Sequence, residues 1–128
     1  MKPPQMKFLS HVWHPNISSQ TGAICVDILK DEWSPAITLT KTLQSLQALL
    51  CAPEPTDPQD AVVAKQYMED NDSWATKAKE WTKMYAGPLD EKVGTLEGMG
   101  FSKEKAAAAI VIAGGNLEQA ATALLSGD

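Results

Sequence analysis

Arginine is absent from these 128 residues: all 11 basic side chains are lysine, against 16 acidic ones, for a net charge of −5. Nucleic-acid recognition normally needs a basic footprint and arginine's planar fork for phosphates and base edges, so the composition speaks against that class. Long apolar runs are also missing. The longest, Ala106 to Ala113, falls far short of the roughly 20 residues a spanning helix needs. No basic-then-apolar leader opens the sequence at Met1-Lys2-Pro3-Pro4, so a cytoplasmic or nuclear setting and no membrane partner are expected. Cysteine is scarce, with two residues, and in a reducing compartment both are expected as free thiols. Two cysteines far apart and two histidines give no metal-ligand spacing. Neither Gly-x-x-x-x-Gly-Lys nor Gly-x-Gly-x-x-Gly occurs, which leaves direct nucleotide chemistry without its usual phosphate cradle.

What is present fits a globular protein, with 44% hydrophobic and 21% charged residues. Gln5 to His14 alternates, with Met6, Phe8 and Ser10 on one side, and predicts a short strand. Pro15 to Pro35 has no clean period and reads as a long structured loop, which compact domains tolerate mainly when it carries function. The stripe Leu39, Leu43, Leu46, Leu49 and Leu50 predicts a helix over 39–50, with Thr38 or Thr40 as its cap. Pro53-Glu54-Pro55-Thr56-Asp57-Pro58 ends it as an extended, low-entropy connector. Helices over 60–69 and 72–85 follow, the second with Trp74, Ala78, Trp81 and Tyr85 on one face. Gly87-Pro88 is the natural boundary. Beyond it, alanine-rich sequence predicts three short helices, over 90–97, 102–113 and 116–125. Ser102 and Asn116 stand at N-cap positions, and Gly114-Gly115 stops the middle helix. Residues 1–87 and 88–128 are thus expected as two units, the second with a thin core.

Cys25 sits among apolar neighbours, in Thr21-Gly22-Ala23-Ile24-Cys25-Val26-Asp27-Ile28-Leu29. Such a cysteine is most often a small buried hydrophobe. Its functional alternative is an acyl carrier: a thioester that an amine can attack, provided the oxyanion is stabilised. Asn16, in His14-Pro15-Asn16, could donate an amide N–H to that oxyanion or simply satisfy its own turn. His14 is either a base or a loop organiser. Asp57 is either a guide for the incoming amine or a turn aspartate. Met99-Gly100-Phe101 and Leu124-Leu125 either close a small core or present an adaptable apolar surface. Cys51, at a helix end, reads as a thiol without a role.

Taken together, His14-Pro15-Asn16-Ile17, Thr21 to Leu29, Trp33-Ser34-Pro35-Ala36, Leu46-Gln47-Ala48-Leu49-Leu50 and Pro53 to Ala61 resemble a ubiquitin-conjugating enzyme from about Lys2 to Tyr85. The tail, through Met99-Gly100-Phe101, Gly115-Asn116-Leu117-Glu118 and Leu124-Leu125, is similar to a ubiquitin-associated (UBA) domain. The combination resembles conjugating enzymes that extend ubiquitin chains in protein degradation. It implies an α+β fold, part of the conjugating-enzyme domain followed by a three-helix UBA bundle. Cys25 would then accept ubiquitin from the activating enzyme. Asn16 would steady the oxyanion or hold the loop, His14 would brace the turn, and Asp57 would guide the acceptor lysine. Trp33, Ser34, Pro35 and Ala36 would contribute to a ligase-binding surface. Met99, Gly100, Phe101 and Leu125 would contact ubiquitin. No cofactor is implied, because the activating enzyme consumes ATP upstream.

The resemblance starts late in the family's domain, at the strand that would be its fourth. The helix and meander strands that precede it in the family are missing, so the first 85 residues are expected to be destabilised. Two readings follow from the residues. One is a ubiquitin carrier using Cys25; the other is a non-catalytic ubiquitin-binding protein acting through its tail. A redox-sensing thiol at Cys25 is a third, and it would need that thiol to titrate well below about 8.5.

Overall fold

The computed structural model describes residues 6–24, 34, 36 and 39–127. Among them run six helices: α1 Leu39–Cys51, α2 Ala61–Glu69, α3 Asn71–Tyr85, α4 Leu89–Gly98, α5 Lys103–Ile112 and α6 Leu117–Leu125. Their starts follow local chemistry. Asp60, Asp70, Ser102 and Asn116 each accept a backbone N–H from the first turn with a side-chain oxygen, capping α2, α3, α5 and α6. Gly114 and Gly115 both take positive φ, 64° and 97°, and turn the chain between α5 and α6.

Two separate apolar clusters form. In the first, Ile17, Ile24, Leu46 and Leu49 are buried, with Met6, Phe8 and Val12 packed against them. In the second, Val93, Leu96, Ala106, Ile110 and Ala120 close the core of α4 to α6, with Phe101, Leu117 and Leu124 around it. Each large aliphatic side chain taken fully from water contributes about 1.5–3 kcal/mol, so the second core is small but self-contained. Among the described residues, no single helix is long and apolar enough to cross a membrane.

Two expectations are met only in part among the described residues. The α+β architecture is not expressed as a sheet among the described residues, where strand pairing is limited to the isolated bridges Lys7–Ala23, His14–Ile17 and Ile17–Ile24. The alternation over 6–12 is still read by packing, because Met6, Phe8 and Val12 reach the core. A ladder needs a neighbour alongside for several residues, and among the described residues this segment makes a single bridge, Lys7–Ala23. The leucine stripe of α1 is also narrower than expected. Leu46, Leu49 and Thr42 are buried, while Leu39 and Leu43 are 68% and 52% exposed and Leu50 is exposed too. Thr38, one of its two candidate caps, lies outside the described residues.

The two clusters are joined along the end of α3. The His11 amide donates to the Gly114 carbonyl at 2.9 Å, and the His11 ring meets Tyr85 edge-on at 4.9 Å. Lys92 of α4 places its ammonium against three carbonyls: Gly115 at 2.7 Å, Tyr85 at 2.9 Å and Ala86 at 3.1 Å.

Candidate functional site

The turn at His14-Pro15-Asn16-Ile17 is the anchor of the site. Ile17 N–H donates back to the His14 carbonyl at 3.2 Å, closing the turn, and all four residues are buried. His14 has both ring nitrogens engaged. Nδ1 accepts from the Asn16 amide at 3.0 Å, which leaves the proton on Nε2 to be donated to the Leu49 carbonyl at 3.1 Å. Burial pushes the His14 pKa below its ordinary 6.5, against the opposing pull of the Leu49 and Leu50 carbonyls. A neutral ring held at both ends braces α1 against the turn.

Asn16 is fully buried and bridges to the proline-rich connector. Its Nδ2 donates to the Glu54 carbonyl at 2.9 Å and to the Asp57 carbonyl at 3.0 Å, while its Oδ1 accepts from the Glu54 amide at 2.9 Å. Both amide hydrogens are therefore committed to the connector. Donation to an oxyanion from this geometry requires one of those two bonds to open. The Pro15 carbonyl adds to the grip, accepting from the Gln59 and Asp60 amides at 3.0 and 3.1 Å. Asp57 is exposed, with its own amide donating to Glu54.

After the turn the loop runs to Ile24 and stitches itself together. Ser18 Oγ accepts from the Thr21 amide, Thr21 Oγ1 from the Ala23 amide, and Ser18 N–H donates to the Ala23 carbonyl at 2.8 Å. Gly22 takes φ +77° against the Phe8 backbone, its carbonyl accepting from Phe8 N–H at 2.9 Å. Asp60 then ties the loop to α2 by accepting from the Ser19 amide and hydroxyl. Burial raises the Asp60 pKa, but the Ser19 hydroxyl and amide and the Val63 and Val62 amides hold it below the ordinary carboxylate value.

The fold thus brings together His14, Asn16 and Asp57, from the turn and the connector. Cys25, the candidate thiol, follows Ile24 and lies outside the described residues, as do Trp33 and Pro35. Ser34 and Ala36 are exposed. In the second unit, Met99 and Leu125 are 48% and 69% exposed, and exposed Gly100 takes φ +102°. Phe101 is half-buried against the small core. Cys51 closes α1 as an exposed free thiol. Among the described residues, no group of three or more metal-ligating side chains forms.

Sequence reasoning missed Ser19, Asp60 and Lys92. Asp60 carried a local signal, an aspartate just ahead of an apolar helix, but its bonds to Ser19 are tertiary. Lys92 carried no signal, because its acceptors are backbone carbonyls.

Comparison with known proteins gives two family matches. Residues 1–82 match the model of the ubiquitin-conjugating enzyme, and residues 88–124 match the UBA/TS-N domain. A protein from Arabidopsis thaliana named ubiquitin-conjugating enzyme E2 27 is 56% identical over 117 residues, covering 90% of this chain and 61% of that one. The human ubiquitin-conjugating enzyme E2 K is 47% identical over 130 residues, covering 97% of this chain and 65% of that one. Among solved structures, the E2 domain of a Toxoplasma gondii ubiquitin conjugating enzyme superposes with a TM-score of 0.64 at 58% identity, over 67% of this chain and 60% of that one. The chain spans about three fifths of the length of the curated relatives it matches.

Proposed function

The chain belongs to the ubiquitin-conjugating enzyme family, and we propose that it carries ubiquitin as a thioester on Cys25 and transfers it to a lysine amine. The observation that carries this reading is the single cluster in which His14, Asn16 and the Asp57 connector are bonded together, on the segment that leads to Cys25. In the first step the Cys25 thiolate attacks the thioester carbonyl on the activating enzyme and expels that enzyme's thiolate. In the second, a lysine amine attacks the new carbonyl, the tetrahedral oxyanion collapses and the Cys25 thiolate leaves. The ammonium proton passes to solvent or to a base, and Asp57 at the connector is the candidate to guide that amine. Asn16 holds the connector in register, and it can serve the oxyanion only by releasing one carbonyl.

Residues 1–87 are the carrier unit in this reading and residues 88–128 the ubiquitin-binding one. The exposed Met99 and Leu125, together with Gly100 and Phe101, face ubiquitin, and Trp33 to Ala36 belong to the ligase-binding surface. ATP is consumed upstream by the activating enzyme, and the setting is cytoplasmic or nuclear.

Incubating the full chain with activating enzyme, ubiquitin and ATP, followed by non-reducing electrophoresis, tests the proposal. A thiol-labile adduct is expected and should vanish in Cys25→Ala. A folded chain that takes no adduct, yet shifts the resonances of labelled ubiquitin, acts through α4 to α6 alone and overturns the carrier role.

A further inference from the structure

The Asp60 carboxylate joins two segments that must be in register for the proposed transfer. Oδ1 accepts from the Val63 amide at 3.2 Å and caps α2. Oδ2 accepts from the Ser19 amide at 2.9 Å and from the Ser19 hydroxyl at 2.6 Å. Ser19 belongs to the loop that ends at Ile24, beside Cys25; Asp60 ends the connector that carries Asp57. We propose that Asp60 and Ser19 are a positioning pair for the transfer step, fixing the loop ahead of Cys25 against the Asp57 connector so that the incoming amine meets the thioester in one orientation.

Three observations support this role, which rests on the carrier reading of Cys25. A hydroxyl bond to an ionised carboxylate at this length is among the stronger hydrogen bonds, and the two donors on Ser19 chelate one oxygen. The loop's other side-chain bonds, from Ser18 and Thr21, stay within the loop, so they stiffen it without aiming it at the connector. The backbone grip of Pro15 on Gln59 and Asp60 holds the base of the loop, and Ser19 ties the part beyond the turn to the end of the connector. Misplacement by about 1 Å can cost a bimolecular step orders of magnitude, whereas the same displacement need not unfold anything.

The cap and the cross-link are separable. Asparagine caps a helix about as well as aspartate but has a single acceptor oxygen. In Asp60→Asn that oxygen, kept on Val63, leaves Ser19 facing an amide donor. Ser19→Ala removes the hydroxyl, and Ser19→Thr keeps it. The full chain and its variants are charged with ubiquitin, and discharge onto free lysine is followed in a single turnover. Asp60→Asn and Ser19→Ala should charge within about twofold of the parent but discharge about tenfold more slowly. Ser19→Thr should discharge like the parent. Asp57→Ala combined with Asp60→Asn should be no slower than Asp57→Ala alone, because the pair acts through the connector.

Several results would overturn the role: parental discharge in Asp60→Asn, equal loss of charging and discharge, multiplied effects in the double variant, or a slow Ser19→Thr. A parent chain that never charges is a different failure. It removes the carrier reading, and this role with it, before any variant is compared.

Discussion

At the scale of single residues, His14 carries the clearest pH consequence. The buried, neutral ring has its pKa lowered by desolvation. The unfolded chain binds a proton near pH 6.5 that the fold excludes, so stability should fall as pH drops through that value. The contribution of His14 is whole above pH 6.5, declines below it and levels off once pH passes the lowered folded value. Urea unfolding at pH 7.5 and at 5.0 measures this, and the difference should shrink in His14→Gln, which has nothing to titrate. Asp60 and Asp70 both sit below the ordinary 3.8 and do not enter that window. His14 and Asn16 were legible as candidates from the sequence. Which alternative each takes was not, because the deciding partners, Leu49, Glu54 and Asp57, are distant along the chain.

At the scale of elements, the loop ahead of Cys25 depends on a close approach. Gly22 has φ +77°, and a Cβ there would lie 2.0 Å from the Phe8 carbonyl oxygen. Gly22→Ala therefore combines backbone strain with a clash that only backbone movement relieves, and should cost about 2–3 kcal/mol. The urea midpoint of the full chain measures the loss. An unchanged midpoint would show that the 6–8 segment does not hold this loop. The caps at Ser102 and Asn116 were readable because capping chemistry is local: each bonds within one turn, as Asp60 and Asp70 also do. Among the described residues 6–14 the expected strand is not realised as a ladder, because alternation specifies a face and leaves the partner unspecified. The leucines of α1 failed for a related reason. A wide stripe offers more apolar surface than the neighbouring segments cover, and Leu39 and Leu43 are left outside.

At the scale of the whole molecule, the two cores meet through polar groups at the end of α3, which aromatic edges tie to the segment around His11. Trp81 lies 4.9 Å from Trp13 and 5.4 Å from Tyr85, and Lys77 sits 3.8 Å over the Trp13 ring. Lys92 crosses from α4 to the end of α3 and to the turn before α6. Lys92→Met keeps the aliphatic stem but leaves three carbonyls without that donor. Charge-assisted bonds contribute about 1.5–3 kcal/mol each in favourable settings, and partial exposure places this one toward the lower end. The expected outcome is release of the contact without loss of either core. Nitrogen-15 relaxation should then give α4 to α6 a shorter correlation time than α1 to α3. A single shared correlation time would show that the remaining contacts, His11–Gly114 among them, fix the arrangement without Lys92.

The sequence alone determined what depends on neighbours along the chain. That covers the helices, the caps at Ser102 and Asn116, the glycine stop at Gly114-Gly115, the proline connector and the joint motif set that resembles a ubiquitin carrier with a UBA tail. Tertiary structure alone decided which polar side chain meets which distant partner. Asn16 grips Glu54 and Asp57, Asp60 holds Ser19, and Lys92 spans the two cores. Capping and turn bonds close within a few residues and leave a local pattern. A bond between segments far apart in sequence exists only once both have folded, and its backbone acceptors carry no mark in the amino-acid code.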